Sequence, residues 1–184
     1  PVAMTARAPV FFYSHRGDLA HPAFAPGDAL GLAARGGPDD IDLDAVGVHP
    51  LAPPTEVPRL ERTQALSVNW SAPAGPSAAM VHLELNIANH GGTPAWIHCV
   101  VPDTGSHEIA APLITQLLDL GFSGYPSLSV SRRTIDSTTI STGCVEFLAV
   151  HTMVSEVEIP GLVSCSDDAE CPEGQTCRVD LTCG

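Results

Sequence analysis

Asp103-Thr104-Gly105-Ser106 follows the apolar run Cys99-Val100-Val101, and such a loop behind such a run is how an aspartic protease presents a carboxylate. That chemistry needs two carboxylates sharing one proton, supplied by two such loops or by one loop in each half of a dimer. The chain holds a single copy, Pro102 interrupts the lead-in, and no apolar-apolar-Gly support segment stands out downstream. Asp103 fits better as the start of a β-turn between two strands, with Gly105 further along it.

Three other groups of residues could do chemistry. His82, Glu84 and His98 fall on the polar parity of two adjoining β-like runs. Paired as a hairpin, those runs would put two imidazoles and a carboxylate on one face, a set that suits zinc or copper and supports a metal-dependent enzyme as one reading. The other reading is a solvated or partner-covered face. Asp40, Asp42 and Asp44 mimic the first oxygens of a calcium loop, but Ala45 stands where that loop needs Gly and Leu51 where it needs Glu. They fit better on an edge strand whose charges discourage further pairing, with calcium as the alternative there or at Asp167, Asp168 and Glu170. No resident cofactor is called for beyond such a calcium or zinc ion. Arg16-Gly17-Asp18 and Asn69-Trp70-Ser71 match an adhesion tripeptide and a glycosylation acceptor, and both are better read as a turn and as part of a strand.

The cysteines bear on compartment. Cys165, Cys171, Cys177 and Cys183 are evenly spaced, with five residues in each gap, whereas zinc modules pair cysteines two to four apart. Disulfides made outside the cytosol fit better, and of three connectivities Cys165–Cys177 with Cys171–Cys183 is the one expected. Cys99 and Cys144 lie on separate strands, and a bridge between them would add roughly 4 kcal/mol by loop closure. The alternative is two thiols packed as small apolar groups.

Composition excludes several functions. Acids outnumber bases 21 to 8 in 184 residues, a net charge of −13 that repels phosphate backbones and anionic lipid, so nucleic acid is not an expected partner. All the basic residues are Arg, which removes lysine chemistry. At 44% hydrophobic and 16% charged the chain can bury a core, yet no run is long enough for a transmembrane segment. A chain opening on Pro1 reads as a processed product or a piece of a longer one, which leaves room for a removed signal or lipid anchor.

These residues must be positioned by strands. Short β-like runs, Val10 to Tyr13, Ala29 to Leu32 and Ile41 to Val46, make an N-terminal β segment over 1–49. Four prolines in the nine residues 50–58 mark 50–62 as an extended linker or edge-hugging connection. A main domain then spans 63–163. In it Val81, Leu83, Leu85 and Ile87 alternate with His82, Glu84, Asn86 and Ala88. A turn at Asn89 to Pro94 leads into a strand placing Ile97, Cys99 and Val101 opposite Trp96 and His98. Ala111 to Gly121 is the single helix, with Pro112 in its first turn, leucines at 113, 117 and 120 and Gly121 as its stop. The last long strand has apolar residues on both parities from Leu148 to Val154, so burial of both faces or a bulge near Met153 is expected. Residues 164–184 form a cysteine-rich tail. The fold class expected is all-β, an antiparallel β-sandwich of immunoglobulin/fibronectin-like architecture with one short helix.

From about Ala25 onward the chain resembles β-sandwich modules of large, uncharacterised secreted proteins and predicted lipoproteins of bacteria. The residues that carry this are Ala25-Pro-Gly-Asp-Ala-Leu30, Leu66 to Trp70, Val81 to Asn86, Ile97 to Ile109 and Cys144 to Val150. The segment Cys165 to Cys177 is similar to short cysteine modules appended to such proteins, and a bias toward Ala, Pro, Gly and Arg matches GC-rich bacterial genomes. The resemblance implies an extracellular, periplasmic or outer-surface location and no known catalysis. The expected function is a non-catalytic structural, assembly or interaction module of a surface or secreted protein. Its partners would be other proteins or further copies of itself, and the alternative is a module that binds glycan or calcium.

Overall fold

The computed structural model describes residues 2–9, 12–18, 20, 22–73, 75, 77–88 and 94–184. Its elements in chain order are β1 (Thr5–Arg7), β2 (Phe12–Ser14), β3 (Ala29–Ala34), β4 (Ile41–Val46), β5 (Leu66–Asn69), β6 (Met80–Asn86), β7 (Trp96–Pro102), β8 (Ser106–Ile109), α1 (Ala111–Asp119), β9 (Ser127–Ile140) and β10 (Gly143–Glu156). Val10 and Phe11 of the first expected run, and Asn89 to Thr93 of the turn after β6, lie outside the described residues. The strands form a four-stranded antiparallel sheet, β10-β9-β6-β7, and three antiparallel pairs, β1-β2, β3-β4 and β5-β8.

Period-two patterning fixes which face of the large sheet is buried. Val81, Leu83, Leu85 and Ile87 are fully buried, and their neighbours across the ladder, Val101, Val130 and Leu128, join the same core. Leu66 and Val68 of β5, Ile109 of β8, and Ile114, Leu117 and Leu118 of α1 close that core from the other side. The helix therefore buries the i, i+3, i+4 stripe 114/117/118, while Leu113 and Leu120 stay exposed.

Residues 50–62, expected as an extended linker or an edge-hugging connection, are part of this packing. Leu51 and Leu60 are buried in the core, and Arg59 bridges in parallel to Glu158. Proline removes donors but leaves acceptors: the Glu158 amide donates to the Pro58 carbonyl at 2.8 Å, and the Leu60 amide to the Glu158 carbonyl at 2.8 Å. The β3-β4 pair packs on β9 and β10, where the Val46 carbonyl accepts from the Thr134 hydroxyl at 2.6 Å.

The expected bulge in β10 is absent. β9 and β10 pair without a break over fourteen positions, and β10 alternates strictly. Phe147, Ala149, His151 and Met153 turn inward, so Leu148, Val150 and Val154 face solvent.

The tail carries disulfides Cys165–Cys177 and Cys171–Cys183. It is tied to the body by the Gly124 amide, which donates to the Asp180 carbonyl at 2.8 Å, and by the Ser164 hydroxyl, which donates to the Gly124 carbonyl at 2.6 Å. Cys99 and Cys144 are free thiols, which corrects the expected bridge. Cys99 lies on edge strand β7 and Cys144 on the opposite edge β10, three strand spacings or about 14 Å apart. Cys144 is also nine residues along β10 from Met153, the residue level with Cys99, a further ~30 Å where a disulfide spans about 6 Å between Cα atoms. Burial pushes the Cys99 thiol above its ordinary pKa.

Candidate functional site

Asp103 sits at the bend between β7 and β8, where Gly105 takes φ +99° and its carbonyl accepts from the Trp70 amide at 2.9 Å. A side chain at that φ would be strained, and a Cβ would also press on the Ala72 methyl at 3.2 Å. The bend does more than reverse the chain. Asp103 pairs bidentately with Arg132 of β9, Nε to Oδ2 at 2.8 Å and Nη2 to Oδ1 at 2.9 Å, and both side chains are 1% exposed. Trp70 Nε1 donates to Oδ1 at 2.8 Å and the Ser77 hydroxyl to Oδ2 at 3.2 Å. The remaining guanidinium donors reach the carbonyls of His49 at 2.9 Å, Pro50 at 3.4 Å and Ser71 at 2.5 Å.

All five guanidinium N–H groups and both carboxylate oxygens are thus engaged. The pair is a buried clamp joining β9, the β7–β8 bend, the end of β5 and the start of the Pro-rich segment. A cleft of about 280 Å³ beside Arg132 is walled mainly by small and apolar residues, among them Gly47, Val48 and Ala79. Sequence reading found Asp103 and missed Arg132, because only the parity of β9 tells which arginine of Arg132-Arg133 turns inward.

The polar parity of the large sheet forms its outer face. In the β6–β7 register Glu84 stands directly opposite His98, and His82 lies two residues along β6 on the same face. The His82 and His98 ring centroids are 5.7 Å apart, tilted by 43°. His82 Nδ1 is buried with no hydrogen-bond partner, and so is Nε of Arg133 from the neighbouring strand. Burial first, then the charges of Arg133 and His98, lower the His82 pKa and favour the neutral imidazole.

The register therefore places the three expected ligands together on one face without drawing their donor atoms into a coordination shell. Among the described residues the one group of ligand-type atoms within 4.8 Å of one another is Cys165, Cys171 and Cys183, whose sulfurs are already spent in disulfides. The acidic cluster is not gathered either. Asp40, Asp42 and Asp44 are exposed on and beside β4, and Asp42 is paired with Arg35. Alternation along the strand separates Asp42 and Asp44 by a full pleat, and the salt bridge occupies one of the carboxylates.

The outer face is also unusually apolar. Trp96, Val100 and Met80 share it with Ile135, Leu148, Val150 and Val154, all exposed and the last at 64%. Its charges are Arg133, Glu84, Glu146 and Glu156, a net −2 of the chain's −13. Among the described residues no backbone hydrogen bond from outside the sheet reaches Gly143 to Glu156, so β10 keeps a free edge. No helix of the described residues is long and apolar enough to cross a membrane.

No family model matches this chain, and no curated protein or solved structure matches it either.

Proposed function

We propose that the chain is a non-catalytic assembly module of β-sandwich-like build that works outside the cytosol and docks its outer sheet face against the same face of a second copy. The observation that supports this is the concentration of seven large exposed apolar side chains on one sheet face. Soluble chains seldom leave such a patch uncovered. Strand spacing and rise give this face about 650 Å² of sheet plane, and protruding side chains add to it, against the roughly 800 Å² per partner of a stable interface. Charge permits a like partner here: two copies of net charge −13 would meet over a face on which each presents only −2. The tail disulfides support a location where thiols are oxidised, in keeping with the likeness to secreted bacterial modules.

Sedimentation velocity over a wide concentration range tests the reading. Wild-type chain is expected to run as a dimer and the variant Ile135→Glu/Leu148→Glu as a monomer with an unchanged far-ultraviolet spectrum. A wild-type monomer at every concentration, or a variant that dimerises as well as wild type, overturns it.

A further inference from the structure

We propose that His82, Glu84 and His98 bind one divalent transition-metal ion of the nitrogen-preferring kind, copper(II) most tightly and zinc next. The site draws its ligands from one copy of the chain and lies on the same outer face that the assembly reading covers.

The sheet sets the spacing. Directly opposed residues in an antiparallel pair have Cβ atoms about 5 Å apart, which puts the Glu84 carboxylate and the His98 imidazole within reach of a common ion. The His82 ring is the third corner at 5.7 Å from His98. Glu84 and His98 are exposed, so rotation about their side-chain bonds can bring their donors to it while the backbone ladder stays fixed. Two imidazoles and one carboxylate leave a coordination position open to water or a fourth ligand.

The unpartnered nitrogen is the second observation. His82 Nδ1 is buried and makes no hydrogen bond, a costly condition that a bound cation would relieve by taking its lone pair. Among the described residues Arg133 is the guanidinium set beside this group; its charge opposes a bound ion, and Glu84 offsets it. Copper ranks above zinc because affinity for such donors follows the Irving–Williams order.

Trp96 supplies a readout. It lies on the same face two residues from His98, whereas Trp70, the other tryptophan, is buried against Asp103. Full-length metal-free chain is titrated with copper chloride while tryptophan fluorescence is followed, and the copper-loaded sample is examined by electron paramagnetic resonance. The expected result is quenching that saturates at one ion per chain, hyperfine coupling to two nitrogens, and competition by zinc chloride. His82→Ala and His98→Ala should each weaken binding at least tenfold, and Glu84→Gln should weaken it less. The titration is run also on Ile135→Glu/Leu148→Glu, which leaves the outer face open whether or not wild type pairs through it, and the proposal requires one ion per chain there. Absence of two-nitrogen coupling in Ile135→Glu/Leu148→Glu, or undiminished quenching when His82→Ala/His98→Ala is added to that variant, overturns it.

Discussion

Asp103 and Arg132 use every donor and acceptor they own inside the protein, so losing one should cost far more than losing both. Asp103→Ala strands a guanidinium that is 1% exposed, and the expected loss of stability is about 3–5 kcal/mol. Asp103→Val with Arg132→Met removes both charges at nearly the same volume. That pair should regain most of the loss, short of wild type because the His49 and Ser71 carbonyls give up their donor. Urea unfolding of the two variants measures the difference, and equal losses would mean that the carboxylate does not compensate the buried cation. At this scale the sequence announced Asp103 as a turn residue from Asp-Thr-Gly alone, since those types suit a bend wherever it occurs. It was silent on the partner. Arg132 and Arg133 are chemically the same residue, and the side each faces depends on a register with β6 that no local pattern encodes. A different register, that of β6 with β7, joined Glu84 to His98, so the types of the candidate ligands were legible and their juxtaposition rested on an assumed hairpin.

Elements with one strong period were the legible ones. β6 buries every second residue, and the helix spans its expected range because Pro112 and Gly121 bound it. β10 was misread for a physical reason: apolar residues on both parities normally mean two buried faces, but here only one parity meets the core and the other stands in solvent. The tail was legible in its spacing, because two bridges that each span 12 residues and cross one another suit four evenly spaced cysteines. Each such loop closure is worth roughly 3 kcal/mol to the folded tail. Cys171→Ser/Cys183→Ser should therefore open the tail about a hundredfold more often. Limited trypsin digestion at exposed Arg178 would report it, while the buried core, whose contacts the tail does not make, should resist as before. Unchanged cleavage would mean that Cys165–Cys177 and the Gly124 contacts hold the tail unaided.

At the scale of the whole molecule, residues on either side of the boundaries expected at 49 and 62 share one packing. Proline density tells that a segment is extended, not whether its flanking leucines find a core, and Leu51 and Leu60 do. Contacts that tie the first fifty residues to the rest include the packing of β4 on β9 and β10, the Asp44 amide donating to Asp136 Oδ2 at 2.9 Å, and Arg132 holding the His49 carbonyl. Removing residues 1–49 would strip Leu43, Ala45 and Val48 from their burial sites, uncover Thr134 and Ala149, and leave one clamp donor without its acceptor. The full chain should accordingly unfold in urea as one unit, with the fluorescence of Trp70 at the clamp and the far-ultraviolet signal of the strands changing together. A chain of residues 50–184 should unfold at markedly lower urea, with a loss of several kcal/mol from three buried apolar side chains and the opened clamp. Two separate transitions in the full chain, with the truncated chain reproducing the later one unchanged, would instead make the N-terminal segment a domain of its own.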